Sequence, residues 1–100
     1  MLPPTSNRLY EPDTQPYFMW DLPMTVAQMR DALASDDQAL RDEIIVRLLR
    51  EANSRDVFLF IDWDDIDDAW SRVSHRLGRS RPVWELVLRH HHQHDLAAAG

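Results

Sequence analysis

The chain has 100 residues, 44% of them apolar, and a formal net charge of −6, with eleven arginines, no lysine and no cysteine. This bounds it to one small domain with a single core and excludes a disordered chain, a disulfide framework, a thiolate nucleophile and a cysteine-ligated zinc. The longest apolar run, Val57 to Ile61, is too short to span a bilayer, and an acidic surface is repelled by a phosphate backbone, which disfavours nucleic-acid binding over the whole molecule.

The opening stretch, MLPPTSNRLYEPD, has neither a basic start nor an apolar signal core, so a cytoplasmic protein is expected. Residues 1–23 hold five of the six prolines, Pro3, Pro4, Pro12, Pro16 and Pro23. Proline fixes φ and removes a donor, so this stretch reads as an extended arm. Tyr17, Phe18, Met19 and Trp20 give it a concentrated apolar payload. A solvated tail rarely carries four such groups, so the arm is expected to fold back over an open end of the core. If it docks outward instead, Tyr17, Phe18 and Trp20 are its apolar anchors on a partner.

Thr25 with Gln28 is a capping box, and Met24 and Met29 are placed for a hydrophobic staple. A helix is predicted over 26–34, burying Val26, Met29 and Leu33. Ser35 to Gln38, SDDQ, reads as a second capping box. Leu40, Ile44, Ile45, Leu48, Leu49 and Ala52 then form one wide apolar stripe, which predicts a helix over roughly residues 37–53.

FLFIDWDDIDDAW, residues 58–70, poses the main question. Its aspartates could stand at the end of a buried strand and hold a metal ion, or they could cap a helix. A lone strand leaves its backbone groups unpaired, and no other segment reads as a strand. Trp63, Ile66, Trp70, Val73 and Leu77 recur at spacings of three and four, a helical seam. Asp62 then stands at the N-cap, and Asp64 and Asp65 face the positive end of the helix dipole. A short helix over 55–61 and a full one over 63–77 are therefore predicted, the second stopped by Gly78 in a left-handed C′ position. Ser80 or Arg81 caps a last helix, with Pro82 in its first turn. Val83, Trp84, Val87, Leu88 and His91 make its apolar face, and it is expected to fray through HHHQHD. The boundaries read as a proline-rich arm over 1–23, a helical domain over 24–95 and a disordered tail over 96–100. The fold class is all-α: a compact bundle of four to five short helices with an extended N-terminal arm.

No serine, histidine and acid arrangement and no phosphate loop stand out, so no catalytic residue is assigned and no cofactor is expected. A phosphoryl-transfer enzyme with metal at Asp62 and Asp64 would need a small-residue turn beside them, and the two glycines, Gly78 and Gly100, are elsewhere. A helix-loop-helix calcium site would place Ile66 and Asp67 where a ligand and a glycine belong. His90 and His94, one turn apart, have the spacing of a metal chelate, but a solvated helix end explains them as well. Residues 79–94, with Arg79, Arg81 and Arg89, have the arrangement of a helix-turn-helix. Its second helix shows a core face and one arginine, however, and the acidic cluster stands at the start of the helix before it.

Taken together, FMWDLPMT (18–25), IIVRLLREA (44–52), DVFLFI (56–61), DWDDIDDAWSRV (62–73), LGRSRP (77–82) and PVWELVLRH (82–90) resemble a group of small bacterial helical proteins. These are encoded beside nucleotidyltransferase-like toxins of the AbiEii type. The resemblance spans about residues 18–90, and the long arm and His-rich end depart from it. It implies an antitoxin or accessory partner of such a toxin, and it carries over no catalytic residues. The expected function is thus a non-catalytic acidic module that binds a basic protein encoded nearby. Asp62, Asp64, Asp65, Asp67 and Asp68 would form its acidic face, by steric occlusion and charge matching. A DNA-binding regulator is the alternative and a metal-dependent enzyme the third reading.

Overall fold

Val26 and Ala27 begin the first α-helix, and the arm supplies the acceptors that their amides would otherwise lack. A computed structural model describes residues 4–99, with side chains described as far as Gln93. The Val26 amide donates to the Thr14 carbonyl at 2.8 Å, and the Ala27 amide donates to Pro12 at 3.0 Å. The first amides of a helix have no partner within it, so these bonds tie the arm to a place where donors are free. The arm therefore folds back. Over its described residues it is not the extended strand of chain expected: it folds through two 3-10 turns, Asn7–Tyr10 and Tyr17–Met19, and through further turns in which the Thr14 amide donates to Glu11 and the Leu22 amide to Met19. Leu9, Pro16, Phe18 and Met19 are buried.

Five α-helices follow: α1 (Val26–Ala34), α2 (Gln38–Glu51), α3 (Ser54–Val57), α4 (Trp63–Val73) and α5 (Arg81–Ala99). Among the described residues there is no strand, and the all-α fold class holds. The tail expected over 96–100 falls beyond the described side chains, and Gly100 lies outside the described residues.

The bounds of α1 coincide with those predicted, and both halves of the Thr25–Gln28 capping box form. Met29 is fully buried, with Met24 packed against the core. Ala32 is buried instead of Leu33, which is half-buried at the edge. The second capping box is different. Ser35 ends α1, its hydroxyl donating to the Ala32 carbonyl at 2.7 Å, and Asp37 caps α2 by accepting from the Leu40 amide. Two helices meet within four residues, so one serine cannot cap the second while it closes the first.

α2 is the central element. It packs on α1, α3, α4 and the Tyr17–Met19 turn, and it buries Ile44, Ile45, Val46, Leu48 and Leu49. Val46 lies off the predicted stripe because the arm covers that side. Leu40, predicted within the stripe, stands half out at the helix start. α3 is a single turn, shorter than the helix predicted over 55–61. The chain continues from it through turns at Phe58 to Phe60, whose amides bond back to Asp56 and Val57.

α4 begins as predicted, with Asp62 and Asp65 forming a reciprocal capping box. Ile66, Ala69 and Val73 are buried along its seam and Leu77 beyond it, with Trp63 and Trp70 packed beside them. The helix stops earlier than predicted, at Val73, and the seam continues through a 3-10 turn, Ser74–Arg76. Gly78 has φ +55°, the left-handed conformation that stops the chain there. A further 3-10 turn, Gly78–Ser80, leads into α5, with Pro82 in its first turn.

Candidate functional site

The five aspartates of residues 62–68 divide by role. Asp62 accepts from the Asp65 amide at 2.9 Å, and Asp65 accepts from the Asp62 amide at 3.0 Å. These two hold the start of α4. Partial burial is the largest influence on Asp65 and raises its carboxyl above the ordinary value. The charges of Asp62 and Asp64 add to this, against the bond from the Asp62 amide. Asp64, Asp67 and Asp68 are exposed on the side of α4 away from the buried Ile66, Ala69 and Val73. Asp67 pairs with His92 of α5 at 3.0 Å, and Asp68 with Arg72 one turn on at 3.4 Å. Arg72 also reaches Asp42 of α2 at 2.8 Å. The exposed pairs of Asp67 and Asp68, unlike the partly buried Arg72–Asp42 pair, are worth little to stability. Among the described residues no three histidine, aspartate or glutamate side chains converge in a way that would hold a metal ion.

Beside the cap lies an apolar hollow of about 560 Å³, lined by Phe58, Ile61, Trp63, Trp84 and Val87, with Arg55 and Asp62 at its rim. Two features build it. The turns after α3 bring Phe58 up against Trp63, with ring centroids 4.5 Å apart. Trp84 is held by its indole N–H, which donates to the Leu49 carbonyl at 2.8 Å. His91 stacks on Trp63 at 4.0 Å and nearly parallel, and the two line an adjoining space with Leu86 and Val87. Val83 and Leu86 of α5 lie exposed next to it, at 59% and 63%. Val83 was predicted on the buried face; that face is formed by Trp84 and Leu88, with Val87 beside them.

The arm residues separate as well. Phe18 is fully buried, stacked edge-on against Phe60, and so lies out of a partner's reach. Tyr17 keeps a ring face exposed, but its hydroxyl is committed inward. It donates to Asp56 Oδ2 at 2.6 Å and accepts from the Asn53 amide at 2.7 Å. Trp20 is 70% exposed. Asp56 also accepts from the Thr5 amide at 2.8 Å and from the Thr5 hydroxyl at 2.6 Å. Asp56 is fully buried, and no spacing in the sequence marks it. Burial is the largest influence on its carboxyl and raises it. The bonds from Thr5 and Tyr17, with the charge of Arg55, outweigh that and leave it below the ordinary carboxylate value.

Arg79, Arg81 and Arg89 are all exposed. Arg81 pairs with Glu85 at 2.7 Å, and the outer side of α5 between Arg81 and Arg89 carries Val83 and Leu86. His90 is exposed, and the His94 side chain lies outside the described residues. Compared with known protein families, curated proteins and solved structures, the chain matches none.

Proposed function

We propose that the chain is a non-catalytic protein-binding module whose acidic α4 face engages a basic partner. The observation that carries this reading is the division of labour in α4. Asp62 and Asp65 secure the helix, while Asp64, Asp67 and Asp68 stand outward on it. A cap needs the first two, and the outward three are surplus to it. Clustered charge of this kind raises the rate of encounter with an oppositely charged surface and selects among partners. The exposed ring of Trp20 offers an apolar anchor on another part of the surface. In its finer form the reading is that of an antitoxin or accessory protein. It covers a basic nucleotidyltransferase-type toxin encoded beside it, as the sequence resemblance implies.

The test is co-expression with the product of the adjacent gene, followed by association kinetics. The double variant Asp64→Lys, Asp68→Lys should bind on the order of ten- to a hundredfold more slowly at low salt, with dissociation changed less. The difference should shrink as salt rises. Equal association rates for the wild-type chain and the double variant would reject the acidic face.

A further inference from the structure

α5 runs on past the core it packs against. Its buried residues among those described are Trp84 and Leu88, and beyond them Arg89, His90, His92 and Gln93 are exposed. Past Leu88 two side chains reach back to α4. The His91 ring lies flat on Trp63, with centroids 4.0 Å apart and planes 7° from parallel. The His92 Nε2 stands 3.0 Å from both carboxylate oxygens of Asp67. Trp63 and Asp67 are four residues apart and share one side of α4. The two neighbouring histidines therefore grip that side at successive turns.

Both contacts depend on charge in the same direction. An imidazolium over the face of an indole is attracted by the ring quadrupole. An imidazolium facing a carboxylate makes a charge-assisted bond, stronger than the bond of the neutral ring. Imidazole is the side chain that ordinarily changes charge between about pH 5 and 8. The surrounding charges are mixed. On α4, Asp64 stands one turn before Asp67, and Arg55 and Asp62 rim the hollow beside Trp63. On α5, Arg89 and His90 precede the pair, and the His91 and His92 rings are 5.9 Å apart, so charge on one opposes charge on the other. Asp67 offsets that opposition. The side chains of His94 and Asp95 lie outside the described residues. An exposed pair adds little to the fold as a whole. The turns past Leu88 have little core beneath them, however, and such segments open at low cost, so a small gain shifts their balance.

We propose that the outer turns of α5 are a proton-operated clamp on α4, closed when His91 and His92 carry charge and released as they lose it. Closed, the clamp covers and neutralises Asp67 and leaves Asp64 and Asp68 to meet a partner. Released, it gives all three acids to the surface. Mild acidification thus slows the capture of a basic partner; this part rests on α4 being the contact face.

Amide hydrogen exchange of the full chain, corrected for the intrinsic rate at each pH, reads the clamp with no partner present. Protection of the amides of residues 89–93 is expected to be about three- to tenfold higher at about pH 5.5 than at about pH 7.5. His92→Gln and Asp67→Asn should each lose most of that difference. His91→Phe, which keeps a stacked ring without its charge, should lose part of it. His90→Gln, at an exposed position on the same helix, should keep it. Against the product of the adjacent gene, His92→Gln should associate about two- to threefold faster than the wild type at about pH 5.5 and equally at about pH 7.5. Protection indifferent to pH overturns the clamp, as does a difference that survives Asp67→Asn or vanishes in His90→Gln. A difference untouched in His91→Phe overturns the part given to Trp63. A clamp seen by exchange, with His92→Gln associating like the wild type at both pH values, overturns its control of the acidic face. Equal association rates for the wild type and the Asp64→Lys, Asp68→Lys variant reject the acidic face itself and leave the clamp standing.

Discussion

Asp56 has no solvent contact, yet it stays charged because three donors, two from Thr5 and one from Tyr17, point at its oxygens. Asparagine has nearly the same shape but places an N–H₂ against two of those donors. Asp56→Asn is therefore expected to destabilise the fold by about 1–3 kcal/mol at neutral pH, measured by urea unfolding. The pH dependence follows from the direction of its shift. A carboxyl lowered in the folded state contributes its full stability above the ordinary value near 3.9 and loses it as pH falls through the lower folded value. The gap between wild type and Asp56→Asn should therefore narrow as the solution is acidified below about pH 4. A gap that is constant with pH would mean that the charge of Asp56 is irrelevant. This group was invisible in the sequence for a physical reason: its partners lie 39 and 51 residues away, and no periodicity encodes them. Phe18 is the converse case. Its place beside Phe60 in the core follows from apolar content alone, which is why the folding back of the arm was legible while its fastening was not.

At the level of elements, local signals performed well wherever a helix end had its own chemistry. Thr25 with Gln28 and Asp62 with Asp65 set two helix starts as predicted, whereas Gly78 takes the expected left-handed conformation five residues beyond the actual end of α4 at Val73. The misplaced cap at Ser35 shows the limit. A motif of four residues cannot tell which of two adjacent helices it serves, and only the chain geometry between α1 and α2 decides. The face of α5 shows another. Periodicity finds an apolar stripe but not its width: it includes Val83, whereas the core reaches Trp84 and Leu88, with Val87 at its edge. If the α4 aspartates act as assigned, their stability effects differ by position. Asp62→Ala should cost about 1 kcal/mol, a fall of roughly 4–8 °C in melting temperature for a domain of this size. Asp64→Ala should stay within about 0.5 kcal/mol of wild type. Calorimetry of the two variants side by side checks the assignment, and equal losses would contradict it.

For the molecule as a whole, α2 is the hub, and α5 reaches it with one side-chain hydrogen bond besides the packing of Trp84, Val87 and Leu88 on the core. The Trp84 indole crosses from α5 to the Leu49 carbonyl, and its ring floors the surface hollow, so a single residue joins the core to that hollow. Trp84→Phe keeps an aromatic ring but leaves that carbonyl unpaired in a buried place. A loss of about 1–3 kcal/mol is expected, read by thermal melts. A variant that melts with the wild type would show α5 to be secured elsewhere. The acidic face, by contrast, sits across α4 from the core and should tolerate charge reversal without loss of fold. The proline-rich opening segment has a consequence of its own. It donates to Asp56 through Thr5 and Tyr17, and it accepts from the amides of Val26 and Ala27. A chain shortened to begin at Met24 would keep every residue of the five α-helices, yet strip the first of its outside acceptors and the Asp56 carboxylate of all three of its donors. A chain begun at Met24 is therefore expected to melt below the full one, and equal melting temperatures would show the opening segment to be dispensable for the bundle.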